Sequence, residues 1–144
     1  MQIRPATSED LPAVRGLLQR ADLPLDDLDS HLGAMVVALD GEAVMGAAAL
    51  EIYAGGALLR SVVVDSTRQG SGIGQRLTES ALALAAARGL REVFLLTTTA
   101  ERFFPRFGFE TIARADVPAS VQESVEFKSA CPASAIVMRK RLTA

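Results

Sequence analysis

A chain of 144 residues, 49% hydrophobic and 22% charged with a formal net charge of -2, has the size and make-up of one compact domain, which excludes the disordered and fibrous classes. Basic residues are scattered apart from the run Arg139-Lys140-Arg141, so nucleic-acid binding has no electrostatic footprint. Cys131 is the lone cysteine and His31 the lone histidine, which excludes an intrachain disulfide and a ligand-spaced metal cluster; with no signal-like or spanning segment, the expected setting is the cytoplasm, with no metal and no membrane partner.

The first element is a short strand, Gln2 to Pro5. In Thr7-Ser8-Glu9-Asp10 a hydroxyl and a carboxylate three positions later suit a helix start. Leu11, Val14, Leu17, Leu18 and Ala21 then fall on one helical face, with Pro12 tolerated in the first turn. Leu25, Leu28 and Leu32 predict a second short helix opened by Pro24 and ended at Gly33. Ala34 to Leu39 and Ala43 to Tyr53 read as strands joined by a tight turn at Asp40-Gly41. A second turn, Ala54-Gly55-Gly56, leads into Leu58 to Val64. These runs are nearly continuous in apolar residues, which predicts a sheet covered on both faces.

Ile73, Leu77, Ala81 and Leu84 mark the apolar side of a long Ala-rich helix ended by Gly89. Val93 to Leu96 follows as a buried strand, Ala100 to Phe107 as a short helix stopped at Gly108, and Phe109 to Ala113 and Ala135 to Arg139 as the last strands. With no internal repeat or linker, the elements make one α/β unit with a mixed sheet, spanning 1–144 as a single domain.

The most informative stretch runs from Val62-Val63-Val64 through Asp65-Ser66-Thr67-Arg68 to Gln69-Gly70-Ser71-Gly72-Ile73-Gly74. A buried strand feeds a glycine-rich turn that opens a long helix. Glycines let the backbone approach a ligand closely, and the first N–H groups of the helix point outward at the positive end of its dipole. Such a turn usually holds phosphate. The nucleoside-triphosphate loop needs a Gly-Lys-Ser/Thr ending that is missing, and the dinucleotide fingerprint needs another glycine spacing. A turn that only connects strand to helix is the plain alternative.

Gln69-x-x-Gly72-x-Gly74 after an apolar strand resembles the pyrophosphate motif of the GNAT superfamily of N-acetyltransferases, and the order of elements resembles that family along the whole chain. The resemblance implies a mixed, mostly antiparallel sheet of about six or seven strands with helices on both faces. It implies acetyl-CoA as co-substrate and no further cofactor. The backbone of Val62, Val63 and Val64 would hold the pantetheine arm, and Gln69, Gly70, Ser71, Gly72, Ile73 and Gly74 the pyrophosphate. Leu59-Arg60-Ser61, the segment Leu95 to Phe104 and the tail Cys131 to Met138 resemble the arsenic-resistance N-acetyltransferases. The Leu-Thr-Thr stretch is also similar to the acetyltransferase domain of N-acetylglutamate synthases. Both imply a small amino-acid-like amine as acceptor: an arsenic- or phosphorus-containing glutamate analogue, or glutamate itself.

Acetyl transfer needs a neutral amine, a polarised thioester and a proton for the departing thiolate. A backbone N–H near Val63 or Val64 is the candidate oxyanion donor. Glu51, near the end of its strand, is the candidate base, relaying the amine proton through water, and Tyr53 shares its face if the strand is regular. An exposed carboxylate that is merely solvated is the alternative. The family's common tyrosine acid falls at Phe104 here, and phenylalanine donates no proton. Tyr53, Cys131 or water would replace it, and Phe104 becomes an apolar wall beside the pantetheine. That departure also leaves open a non-catalytic acyl-CoA-binding sensor. Arg60 interrupts an apolar run, as a clamp for a substrate oxyanion or as a structural ion pair. Thr97, Thr98 and Thr99 offer hydroxyls to the acceptor. His31 is expected at the surface, and Ala135 to Met138 is expected to extend the sheet at its edge and to support a homodimer.

Overall fold

The computed structural model describes residues 1–25, 28–98, 100–124, 127 and 135–142, and its first helix grows from an anchored turn. Strand β1 (Gln2–Pro5) is followed by helix α1 (Leu11–Arg20). Between them the Asp10 carboxylate accepts the Thr7 N–H at 2.7 Å and the Arg4 guanidinium at 2.8 and 3.1 Å. The Arg4 guanidinium, helped by Thr7, holds the Asp10 carboxyl below the usual carboxylate range. Leu11, Val14, Leu17 and Leu18 are buried, each such side chain contributing about 1.5–3 kcal/mol, while Ala21 lies exposed just past the helix.

Strands β2 (Met35–Asp40), β3 (Ala43–Tyr53) and β4 (Gly56–Val64) form an antiparallel meander, and helix α2 (Ile73–Ala87) carries the chain to β5 (Glu92–Thr97), parallel to β4. β6 (Glu110–Thr111), helix α3 (Ala119–Gln122) and β7 (Ile136–Arg141) follow. Among the described residues the sheet has seven strands in the order β1-β2-β3-β4-β5-β7-β6. It is a mixed, mostly antiparallel α/β sheet. Both faces are covered. Ala48, Leu50, Leu59 and Leu95 meet Leu77, Ala81 and Ala85 of α2 on one face. On the other, Ala47, Ala49 and Val63 meet α1, and Leu58, Phe94 and Val137 meet Val117 and Val121 at α3.

Four local expectations change. The segment 100–107 is a turn and a 3-10 helix, Phe104–Phe107, ended at left-handed Gly108. Pro105 near its start removes a donor that a longer α-helix would need. Residues 28–34 likewise form a 3-10 helix. The strand expected over 109–113 shortens to Glu110–Thr111, because Phe109 turns into the core and is 3% exposed. Finally, β7 is no sheet edge. It pairs with β5 through Thr97↔Ile136 to Glu92↔Arg141 and with β6 on its other side. Ile136–Met138 therefore pairs with β5 on one side, while β6 covers the other side only at Met138 and Arg139. Among the described residues no helix is long and apolar enough to cross a membrane.

Candidate active site

The site begins where two strands part. β4 and β5 pair only at Ala57↔Val93 and Leu58↔Phe94, while β4 stays on β3 to Gly46↔Val64 and β5 stays on β7 to Thr97↔Ile136. Past Leu58 and Phe94 the backbones of Leu59–Val64 and Leu95–Thr97 therefore diverge, leaving a cleft with free main-chain groups at the end of a parallel pair. A β-bulge adds to the opening: Ala47 opposes Val63 and Ala49 opposes Arg60, so two residues of β4, Ser61 and Val62, stand against Ala48 alone. The extra residue shifts the side-chain phase. Leu58 and Arg60 share the α1–α3 face before the bulge, whereas Val63 takes that face after it.

Two adjoining cavities fill the cleft. The larger, about 800 Å³, runs from the loop after α1 to the ends of β4 and β5, and the smaller, about 530 Å³, sits over the start of α2. Val62, Val63, Val64, Gln69 and Phe104 belong to both walls, so a long ligand can pass from one to the other. Gly70, Gly72, Ile73 and Gly74 line the smaller cavity. Ser71 lines neither; its hydroxyl donates to the Arg68 carbonyl.

The glycine turn has the geometry of an anion site. Gly70 and Gly72 both have φ of 85°, and a Cβ on either would meet open space. Glycine is required there by backbone conformation and not by crowding. Gly72 caps α2 without a side-chain cap, and the first helical bond recorded runs from Arg76 N–H to Gly72 O at 3.1 Å. The N–H groups of Ile73, Gly74 and Gln75 thus remain at the positive end of the dipole. Arg68 and Arg106 flank the same cavity. Arg68 pairs with Asp40, and the Arg106 guanidinium lies 4.7 Å from the Phe103 ring centre. Asp65, at the head of the turn, accepts the Thr67 hydroxyl at 2.6 Å and the Thr67 N–H at 2.9 Å. Those bonds hold its carboxyl below the usual range and turn it toward its own loop.

The acceptor-side expectations divide. Thr97 and Thr98 line the larger cavity, although the Thr97 hydroxyl also accepts the Ala100 N–H at 2.9 Å. Thr99 and Cys131 lie outside the described residues. Phe104 is 7% exposed and forms wall to both cavities. Glu51 needs correction. It is 0% exposed, lines neither cavity and is no solvated strand-end carboxylate. Its Oε2 accepts Arg60 Nη1 at 2.7 Å and lies 3.6 Å from His31 Nε2, and its Oε1 accepts the Tyr53 hydroxyl. Tyr53 shares the Glu51 face as expected but also lies away from both cavities. Arginine does not release a proton, so a proton route from Glu51 to the cleft cannot run through the Arg60 guanidinium.

Arg60 makes the ion pair of the two alternatives and also lines the larger cavity: its side chain is 0% exposed, and it donates from Nε to Ser61 Oγ at 3.0 Å and from Nη2 to Pro24 O at 3.3 Å. His31 is not a plain surface residue, since its half-buried side chain faces this pair. Sequence reasoning also missed Ser61, Gln19 and Asp22 on the larger wall. Ser61 adjoins a residue that drew notice, but no local pattern marks a serine at a bulge.

A model of the GNAT acetyltransferase domain matches residues 31–111, more than half of the chain. The chain belongs to the GNAT acetyltransferase family. It is an acetyl-CoA-dependent N-acetyltransferase domain by that membership. The fold is similar to N-acetylglutamate synthase from Neisseria gonorrhoeae, solved with coenzyme A and N-acetyl-glutamate, at 22% identity and a TM-score of 0.86 over 99% of this chain. The chain spans about a third (35%) of that protein's length. It is also similar to Rv2747 from Mycobacterium tuberculosis, solved with CoA, at 26% identity and a TM-score of 0.84 over 99% of this chain and 100% of that one. A GNAT family acetyltransferase from Brucella melitensis, in complex with acetyl-CoA, shares 26% identity at a TM-score of 0.65 over 76% of this chain and 82% of that one. The same family order of strand, glycine turn and long helix underlies the cleft described above.

Proposed function

We propose that the chain transfers the acetyl group of acetyl-CoA to the amine of a small amino-acid-like molecule bearing an anionic group, with an arsenic- or phosphorus-containing glutamate analogue as the favoured acceptor. The observation that carries this reading is the parting of β4 from β5 beyond Leu58↔Phe94, which joins a glycine-turn cavity to a second cavity of about 800 Å³. One suits the pyrophosphate of acetyl-CoA and the other a compact acceptor. Rv2747, with a coenzyme complex and full mutual coverage, supports the same economy of size. A reducing cytoplasm, where the lone Cys131 stays a thiol, is the proposed setting.

In this scheme the acceptor nitrogen attacks the thioester carbonyl, the C–S bond breaks, the thiolate leaves with a proton, and the ammonium product loses one. The free backbone of Val62–Val64 orients the pantetheine, and an N–H at Val63 or Val64 meets the oxyanion. Phe104 walls the pantetheine and gives no proton, so water delivers it to the thiolate. With Glu51 held by Arg60, solvent also takes the proton of the acceptor ammonium. It follows that kcat/KM rises with pH until the acceptor ammonium is fully deprotonated, following the acceptor's pKa from one substrate to the next. A profile fixed at one pKa for all acceptors would contradict it.

The experiment is acetyl-CoA consumption by purified protein against simple amines, glutamate, and glutamate analogues carrying arsenic or phosphorus oxyanions. Turnover confined to the analogues supports detoxification, and turnover of glutamate moves the reading to glutamate acetylation. Tight acetyl-CoA binding without turnover of any of them would move it to a non-catalytic sensor.

A further inference from the structure

Two non-glycine residues among those described have positive φ, Asp22 and Ser61, both at 58°, and both line the larger cavity. Asp22 has a local reason. It follows α1, where the Leu23 N–H returns to Leu18 O at 3.0 Å, and aspartate is among the residues that tolerate this conformation at a helix end. Ser61 has no such excuse: it stands at the bulge of β4, where a left-handed position is ordinarily given to glycine. A side chain is held there against backbone preference, and such residues cluster where a site requires them.

The hydroxyl supplies a reason. It can accept and donate at once. Ser61 Oγ accepts from Arg60 Nε at 3.0 Å, its one partner among the described residues. Accepting from a cation fixes one lone pair, sends the hydroxyl hydrogen elsewhere and strengthens it as a donor through polarisation. Arg60 lines the same cavity, but its guanidinium is 0% exposed and tied to Glu51 and Pro24. Ser61, 9% exposed, places its hydroxyl on that wall, in front of the buried guanidinium.

We propose that Ser61 is an acceptor-binding residue whose hydroxyl donates to an anionic oxygen of the acceptor, with Arg60 as the positioning residue behind it and Glu51 fixing Arg60. The inference rests on the acetyl-transfer reading of this cleft and names the place in it that takes the acceptor's anionic group.

Ser61→Gly separates the hydroxyl from the fold, since glycine relieves the backbone. The variant keeps or raises the thermal midpoint and keeps the KM for acetyl-CoA, while kcat/KM for an anionic acceptor falls about tenfold to hundredfold. Ser61→Ala, which keeps the strained backbone, loses the same activity. The methyl ester of that acceptor, whose anionic oxygen is masked, reacts equally with wild type and Ser61→Gly. The acceptor used is whichever of glutamate and its phosphinate analogue the wild type acetylates; where neither turns over, calorimetric binding of the phosphinate to the CoA-saturated proteins is compared. Equal acceptor kinetics, or equal phosphinate binding, in wild type and Ser61→Gly would overturn this inference alone. A wild type that neither acetylates nor binds either compound would overturn the acceptor reading and this inference with it.

Discussion

At the scale of single residues the decisive pair is Glu51 with Arg60, a carboxylate 0% exposed against a guanidinium of 0% side-chain exposure at 2.7 Å. Removing one partner leaves the other charge buried, so Glu51→Gln should destabilise the fold by about 3–5 kcal/mol, read from chemical denaturation. Replacing both at once, as Glu51→Leu with Arg60→Met, should cost less than either single change. A single variant as stable as wild type would mean that water reaches the pair. The sequence marks Arg60 as a break in an apolar run and Glu51 as a strand-end carboxylate, and strand alternation puts Tyr53 beside Glu51. It did not foretell burial, because alternation names a face and not what covers it. Here Arg60 crosses from β4 to β3 in the gap between the α1 and α3 clusters, a long-range arrangement with no local signature.

At the scale of elements, α1 depends on its first turn. Asp10 holds the Arg4 guanidinium and the Thr7 N–H, and its folded-state carboxyl titrates below the ordinary range. A lowered folded pKa contributes stability above the unfolded pKa of about 3.9, and that contribution is lost as pH falls through the folded value. Asp10→Asn should therefore lower stability by about 1 kcal/mol at neutral pH, with the difference from wild type shrinking under acid; a gap that stays constant to low pH would contradict the assignment. Elements with a clear period were legible. The amphipathic α1 and the Ala-rich α2 stand where their patterns place them, and the hairpin forms one residue later than its dipeptide, with Asp40 paired to Ala43 around Gly41-Glu42. Segments governed by distant packing were not. Residues 104–107 wind as a 3-10 helix around Pro105, α3 had no long apolar stripe to announce it, and β7 was misplaced because strand order is not written locally.

At the scale of the whole molecule, function follows from a sheet that opens. One parallel step in a mostly antiparallel sheet lets β4 and β5 part, the β4 bulge widens the gap, and α2 begins at its mouth with uncapped N–H groups. The glycine turn was readable because its chemistry is local: positive φ at Gly70 and Gly72 and a helix start fall in consecutive residues. The larger cavity, the proposed acceptor end, was less so, since its walls come from the loop after α1, from β4 and from the segment after β5.

Acetyl-CoA binding by calorimetry, wild type beside Gly72→Glu, tests this account most directly. Gly72 has open space around its missing Cβ, so the variant should fold, at a cost of about 1–2 kcal/mol for its left-handed backbone, while its carboxylate repels the pyrophosphate. The account predicts one saturable site in wild type and at least about a tenfold weaker affinity in the variant. Equal affinity in a folded variant, or no binding by the wild type, would contradict it.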